Sequence, residues 1–340
     1  MSRAVDKDVL EALSRGDPKK VFAEISQIFD SLEEDGQLLE FEFLGRAHLP
    51  PPGIVVLRDG KDVGLSKLHI FQAFGVAYRI FKEAVLEDGN RQQSLSTDDL
   101  RRVTAVMLLS DPEHLTAANC RKRTLLRDLR EGKDVYTSLR KEKYFVDSIL
   151  TSRLHRHTKS PTLWSHRRWL LGQFKRHGIS VDVATDLRRV VFVSGERHPR
   201  NYYAWCHARW LLATFSTETK ASVRDMVTDV NGWCLKHHDD ISGWSFFHYL
   251  LRRTGTTQED CSAVFSSVIQ MTESFKWHNE SVWWFLHALA TDKLLGQKDL
   301  SLLREIGGRM FDCLKVDQGE GRLACKWFRA FEQGNKRLDN

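Results

Sequence analysis

A chain of 340 residues with 41% apolar side chains and only 7 Pro has ample material for a buried core and few helix breaks, which excludes a disordered or collagen-like polymer. Its 51 Lys and Arg against 45 Asp and Glu leave a formal charge of +6, slight support for nucleic acid and modest support for an anionic ligand. The six cysteines (Cys120, Cys206, Cys234, Cys261, Cys313, Cys325) contain no C-x-x-C pair and read as reduced thiols of a cytosolic protein, not as a disulfide framework or a zinc site. No stretch approaches the ~20 apolar residues of a membrane span. The charged start "MSRAVDKDVLEALSRGDPKK" does not read as a signal peptide, so a cytoplasmic protein is expected.

In chain order, residues 1–100 are the less regular part. "VDKDVLEALSRGDPKKVFAEISQIFDSLEE" reads as two helical pieces, "HLPPPGIVVLRDGKDVGLS" (48–66) as a Pro/Gly-rich loop with a short β-like "IVVL", and "KLHIFQAFGVAYRIFKEAVLE" (67–87) as a helix. From about residue 101 to 295 a pattern returns five times. A faint copy, "DPEHLTAANCRKRTLL" (111–126), is followed by "KSPTLWSHRRWLL" (159–171), "HPRNYYAWCHARWLL" (198–212), "HHDDISGWSFFHYLL" (237–251) and "KWHNESVWWFLHALA" (276–290). Their centres are Ala118, Trp164, Trp205, Trp244 and Trp283, a period of about forty residues that marks a repeat architecture.

Between the Trp blocks lie second helices. Val183, Leu187, Val190 and Val191 share a helical face within 181–196, and the segments 220–238 and 259–275 follow suit with Val223, Met226, Val230, Trp233 and with Val264, Val268, Met271. Each Trp block begins after a Pro or a polar cluster ("SPT", "HPRN", "HDD", "HNES"), which is how helices are begun and capped. Asp239 and Asp240 read as such a cap and not as a catalytic pair. The unit is therefore a helical hairpin that can bury its apolar stripe only by stacking on its neighbours. A helix near 299–315 and another at 321–334 would cap the stack in 296–340. No linker composition marks a boundary, so 1–340 is expected to form a single all-α superhelical domain.

The run P-x-N-Y-x-x-W-x-H-x-R, present as Pro199, Asn201, Tyr202, Trp205, His207 and Arg209, together with "LWSHRRWLL", resembles the repeat of protein prenyltransferase alpha subunits. The later copies depart from it: Phe247 and His248, then Leu286 and His287, replace the Arg pair. The resemblance implies a right-handed alpha-alpha crescent that wraps a beta subunit, the beta subunit carrying the catalytic zinc, the isoprenoid cavity and most diphosphate-binding residues. It implies no cofactor on this chain. The implied reaction is transfer of an isoprenoid, with geranylgeranyl favoured, from its diphosphate to a C-terminal Cys of a protein. The implied partner is the beta subunit of Rab geranylgeranyltransferase, and the implied substrate is a farnesylated SNARE.

Trp164, His166, Arg167, Arg168, Trp205, His207, Arg209, Trp244 and Trp283 are expected to pack the repeats or to face the beta subunit. An indole fills the groove between hairpins and needs one acceptor for its N–H, while Arg snorkels along the apolar layer to a carboxylate or carbonyl. The resemblance also implies a Lys five residues before the repeat Trp, directed at the diphosphate; here that residue is Lys159. A cation there would stabilise charge growing on the leaving group. The family's Asn-Tyr after that Lys is replaced by Ser160 and Pro161. Arg200, Asn201 and Tyr202 of the next copy would bind substrate in the same cleft.

Other motifs point elsewhere. "HRH" (155–157) and "HH" (237–238) diverge on a helix and lack a completing Cys or carboxylate set, so no metal site is expected on this chain. The basic run "RKRTLLRDLREGK" (121–133) reads as a solvated face that could meet an acidic partner. Two other functions suit a helical repeat: a peptide-binding scaffold without catalysis, and an RNA-binding repeat. The fixed Trp/His/Arg positions recur as a packing consensus does, not as a base-reading code, so no nucleic-acid partner is expected.

Overall fold

The computed structural model describes residues 16–30, 37–45, 50–51, 53–86, 95–215, 220–312 and 322–336. The first helical piece near the N-terminus and Cys313 fall outside these residues. The fold is an all-α helical repeat with one small sheet, and it divides into two compact units, Met1–Val181 with Glu196–His198, and Asp182–Gly195 with Pro199–Asn340.

The first unit opens with α1 (Pro18–Ser26), which Asp17 begins by accepting from the Lys19 and Lys20 amides while Pro18 fills the first helical position. Here the structure corrects the loop expected over 48–66. β2 (Val56–Asp59) turns through Gly60, at φ 54, into β3 (Asp62–Ser66), and β3 also pairs in parallel with β1 (Glu40–Leu44), giving the order β1-β3-β2. The other edge of β1 is not left open. Two serines one turn apart on a helix take its place in the ladder: the Leu39 amide donates to Ser148 Oγ (3.1 Å) and the Phe41 amide to Ser152 Oγ (2.9 Å). Phe41 sits in the core against Phe29, which in turn meets Phe145.

Helices α2 (Lys67–Phe81), α3 (Thr97–Ser110), α4 (Leu115–Arg130), α5 (Val135–Thr151), the single turn α6 (His155–Thr158) and α7 (Pro161–Arg176) complete this unit. α4 and α7 carry the first two repeat centres, Ala118 and Trp164, and α5 packs against both.

The second unit starts with α8 (Val183–Asp186), runs through a π segment (Leu187–Phe192) and closes with α9 (Val193–Arg197), whose last two residues count with the first unit. The expected 181–196 helix is thus present but widened. A π turn bonds i to i+5, so Phe192 falls on the face of Leu187 and joins Val190 and Val191 in the core. Then come α10 (Tyr202–Phe215), α11 (Lys220–Lys236), α12 (Ile241–Arg253), α13 (Gln258–Ser274), α14 (Glu280–Thr291), α15 (Gln297–Asp312) and α16 (Arg322–Lys336). α10, α12, α14 and α16 pack in succession as one layer, and α11, α13 and α15 form the other. Glycine matters where the layers touch: a Cβ on Gly195 or Gly243 would lie 2.9 Å or 2.5 Å from the Trp233 ring, so the indole closes directly on backbone.

Candidate functional site

The repeat is built from its helix start. Four residues before each centre stands a polar side chain that accepts a first-turn amide: His114 Nδ1 from Ala117, Ser160 Oγ from Leu163, Asn201 Oδ1 from Ala204, Asp240 Oδ1 from Ser242 and Gly243, and Asn279 Oδ1 from Val282. Each satisfies donors the helix cannot satisfy itself. The indole then bonds back across that cap. Nε1 of Trp164, Trp244 and Trp283 donates to the carbonyls of Thr158 (2.8 Å), His238 (2.9 Å) and Trp277 (2.9 Å), always six residues earlier. Trp205 is the exception: its Nε1 is buried with no acceptor. At that cap Arg200 adopts the left-handed conformation (φ 58) and its amide donates to Asp240 Oδ2 (2.6 Å) of the next repeat.

The residue in front of each cap is where the candidate ligand groups fall. Lys159 is exposed and terminates α6, and its side chain makes no hydrogen bond or ion pair among the described residues. Around it Arg156 reaches Asp111 (3.4 Å), and Glu113 accepts a bond from Thr162 Oγ1 (2.7 Å) in the first turn of α7. A carboxylate therefore already occupies the positive end of that helix dipole. Arg200 is exposed, and Tyr202 is 63% exposed, with the nearby Cys206 thiol raising the Tyr202 pKa. Asn201 is fully buried and caps α10. Lys159 belongs to the first unit and Arg200, Asn201 and Tyr202 to the second.

The second and third residues after Trp164 enter a buried ionic cluster. His166 Nε2 lies 2.8 Å from Glu142 Oε1, and Arg121 meets the same carboxylate with both arms of its fork (2.9 and 2.8 Å). Arg167 Nε donates to Asp147 (2.7 Å), which also receives Lys143 (2.5 Å). The Arg121 guanidinium rests 3.6 Å from the centre of the Phe145 ring and donates to the Arg101 carbonyl (2.8 Å). Burial alone would push the Glu142 carboxyl up, but Arg121 and the His166 hydrogen bond hold it well below the usual carboxylate range. Burial lowers the His166 pKa despite that bond, so the ring is neutral, Nε2–H is the donor, and Nδ1 is left buried without a partner.

Arg168 is exposed. His207 is buried, and Arg209 is half-buried, with Nη2 on Ser245 Oγ (2.8 Å) and its guanidinium 5.9 Å from the Tyr249 ring. Burial lowers the Arg209 pKa. Trp205, Trp244 and Trp283 are buried in the second unit and Trp164 in the first. Sequence reasoning missed Glu142 and Asp147 and took Arg121, which is buried, for part of a solvated face. The only local signal was the Lys143–Asp147 spacing of four, which places both on one face of α5. Among the described residues no group of three or more His, Cys, Asp or Glu could hold a metal ion, and no helix is long and apolar enough to cross a membrane.

These features define a helical-hairpin repeat protein whose cap-and-indole unit recurs along the chain. Residues 147–174 match the model of the protein prenyltransferase alpha subunit repeat, the stretch that holds Lys159, Trp164, His166 and Arg167. Residues 163–275 match the ECM9 middle domain, which spans three of the Trp repeats. No curated protein matches the chain.

Proposed function

We propose that this chain is the alpha-type subunit of a heterodimeric protein prenyltransferase, similar to protein prenyltransferase alpha subunit repeat-containing protein 1. In this reading it scaffolds a beta subunit, that of Rab geranylgeranyltransferase, which supplies zinc and the isoprenoid cavity. It supports geranylgeranyl transfer to a protein Cys, with a farnesylated SNARE as substrate. The observation that carries the reading is the prenyltransferase alpha repeat match at 147–174, which falls where Lys159 stands exposed and without an internal partner one residue ahead of the α7 cap. Lys159 would neutralise charge on the departing diphosphate, and Arg200 and Tyr202 would present their exposed side chains to substrate. Asn201 would act through the cap that holds them.

The test is co-expression with prenyltransferase beta subunits followed by gel filtration and an isoprenoid transfer assay. A heterodimer that transfers geranylgeranyl, and that Lys159→Ala slows without dissociating, supports the reading. A monomer that ignores every beta subunit overturns it, and an unchanged rate removes Lys159 from the mechanism.

A non-catalytic helical-repeat scaffold is the second reading. The longer match, over 163–275, is to a domain whose designation states no reaction. Ser160 and Pro161 replace the family's Asn-Tyr, and Glu113 already engages the first turn of α7. A monomer that captures a peptide on the Trp-bearing layer would favour it.

A further inference from the structure

The basic run on α4 is more than a solvated face. A groove of about 490 Å³ runs along this helix, lined by Leu100, Cys120, Thr124, Arg123, Arg127 and Arg130, with Glu131 at its end. Several cations beside the groove are already paired: Arg101 and Lys133 both bind Asp128, Arg102 binds Asp30, and Arg121 binds Glu142. Arg123 and Arg127 have no carboxylate partner among the described residues, and Arg127 Nε is buried with no acceptor. Arg130 donates only to the Leu126 carbonyl (3.1 Å) of its own helix. Cations in a last helical turn gain from the dipole, which accounts for Arg127 and Arg130 in part but not for Arg123 or for the unsatisfied Nε. A charged donor left buried and unpaired is costly.

The spacing says what would pair with them. Arg123 and Arg127 are four residues apart, about 6 Å along a helix at ~1.5 Å per residue. Alternate residues of an extended chain are about 6.6 Å apart, and their side chains point the same way. The guanidinium fork matches a carboxylate in plane. No aromatic side chain lines the groove, so nucleic-acid bases would find nothing to stack on.

We propose that the α4 groove docks an extended acidic segment of a partner protein, with carboxylates at alternate residues facing Arg123, Arg127 and Arg130. Glu131 closes one end and excludes a further acid beyond Arg130. Leu100 and Cys120 supply a small apolar floor for the intervening side chain.

The probe is a fluorescein-labelled peptide of repeating Glu-Ser, titrated with the full chain by anisotropy at low and at physiological salt. Binding should weaken with salt, and the Arg123→Gln/Arg127→Gln double variant should weaken it about tenfold. Arg253→Gln/Arg329→Gln, which removes the same charge from exposed positions far along the sequence, should leave it unchanged. Arg123→Gln alone, at an exposed position that cannot unfold the helix, should cost about two- to threefold. The proposal is overturned if the double variant, shown folded by circular dichroism, binds as the parent does. It is equally overturned if a peptide with the same glutamates in one block, or an oligouridylate of equal charge, binds as tightly as the alternating peptide.

Discussion

Two residues after the repeat centre, the first unit places Cys120 and His166 and the second places His207, Phe246 and Phe285; three residues after it stand Arg121 and Arg167 in one unit and Ala208, Phe247 and Leu286 in the other. The same backbone position thus carries two kinds of core. In the first unit the inward side chains are ionised or hydrogen-bonded and are matched by Glu142 and Asp147 of α5. In the last two Trp repeats of the second unit they stack on the preceding indole, Phe246 on Trp205 (5.3 Å) and Phe285 on Trp244 (4.8 Å), and Phe328 of α16 continues the series near Trp283 (5.9 Å). An apolar ladder accepts a neighbour of similar volume, whereas an ionic cluster requires every member. The first unit therefore holds one arrangement tightly at the cost of vulnerability to any single loss.

Removing one member should break that comparison most sharply. Glu142→Leu strands Arg121 and neutral His166 without their acceptor, and it should destabilise the protein by about 3–5 kcal/mol in chemical denaturation. Adding Arg121→Met should recover most of the loss, because a buried ion pair replaced by apolar side chains is often neutral or better. A double variant no better than the single one would show that the pair is favourable in itself.

Acid should act next, through His157 of the first unit. Burial pushes the His157 pKa down to about 4, with Nε2 2.9 Å from the Leu109 carbonyl. The unfolded chain, with an ordinary value near 6.5, takes up the proton first. Stability from this group is therefore full above pH 6.5 and declines as the pH falls, by about 3 kcal/mol on reaching pH 4, with no further loss below that. The Glu142 contribution has the same sign but begins to fade only below its ordinary 4.5. Denaturation curves between pH 7 and 4 should show the loss in the parent and a flatter profile in His157→Leu. An unchanged profile would mean that His157 is not the group responsible.

In the aromatic unit an equivalent change should be mild. Phe285→Leu keeps the position apolar and should cost less than about 1.5 kcal/mol, independent of pH. A loss as large as that of Glu142→Leu would mean that the ladder is as exacting as the ionic cluster.

The repeats were legible because their signals are local. The cap four residues before each centre, the indole and the 3.6-residue apolar period all lie within one segment, and Asp240 could be read as a cap directly from "HDD". Of the sheet, only the β-like "IVVL" overlapping β2 was read. "EFEFL" at 40–44 does alternate with period two, but β1 is completed by Ser148 and Ser152, more than a hundred residues away, and its neighbour β3 sits in a stretch whose Gly and Pro suggest a loop. The ionic cluster was hidden for the same reason. His166 and Arg167 are visible in the motif, but their carboxylates are on α5, and no rule of spacing links a motif to an acid some twenty residues before it. Asn201 shows the reverse limit: its place in a motif suggested substrate contact, while its full burial reveals a cap.

The smallest expected effect isolates one hydrogen bond. Trp244→Phe and Trp205→Phe remove similar ring volume from fully buried sites, so their packing losses should be alike. Only Trp244 also loses a bond, from Nε1 to the His238 carbonyl, leaving that carbonyl short of a donor. Trp205→Phe removes an indole N–H that has no acceptor, which relieves a buried unsatisfied donor and leaves no group behind. Trp244→Phe should therefore be the worse by about 1 kcal/mol, measured as the difference between two denaturation midpoints at equal slope. Equal losses would mean that Trp205 finds an acceptor in solution, with a buried water on Nε1 as the simplest source, and that the second unit bonds its indoles as uniformly as the capping pattern does.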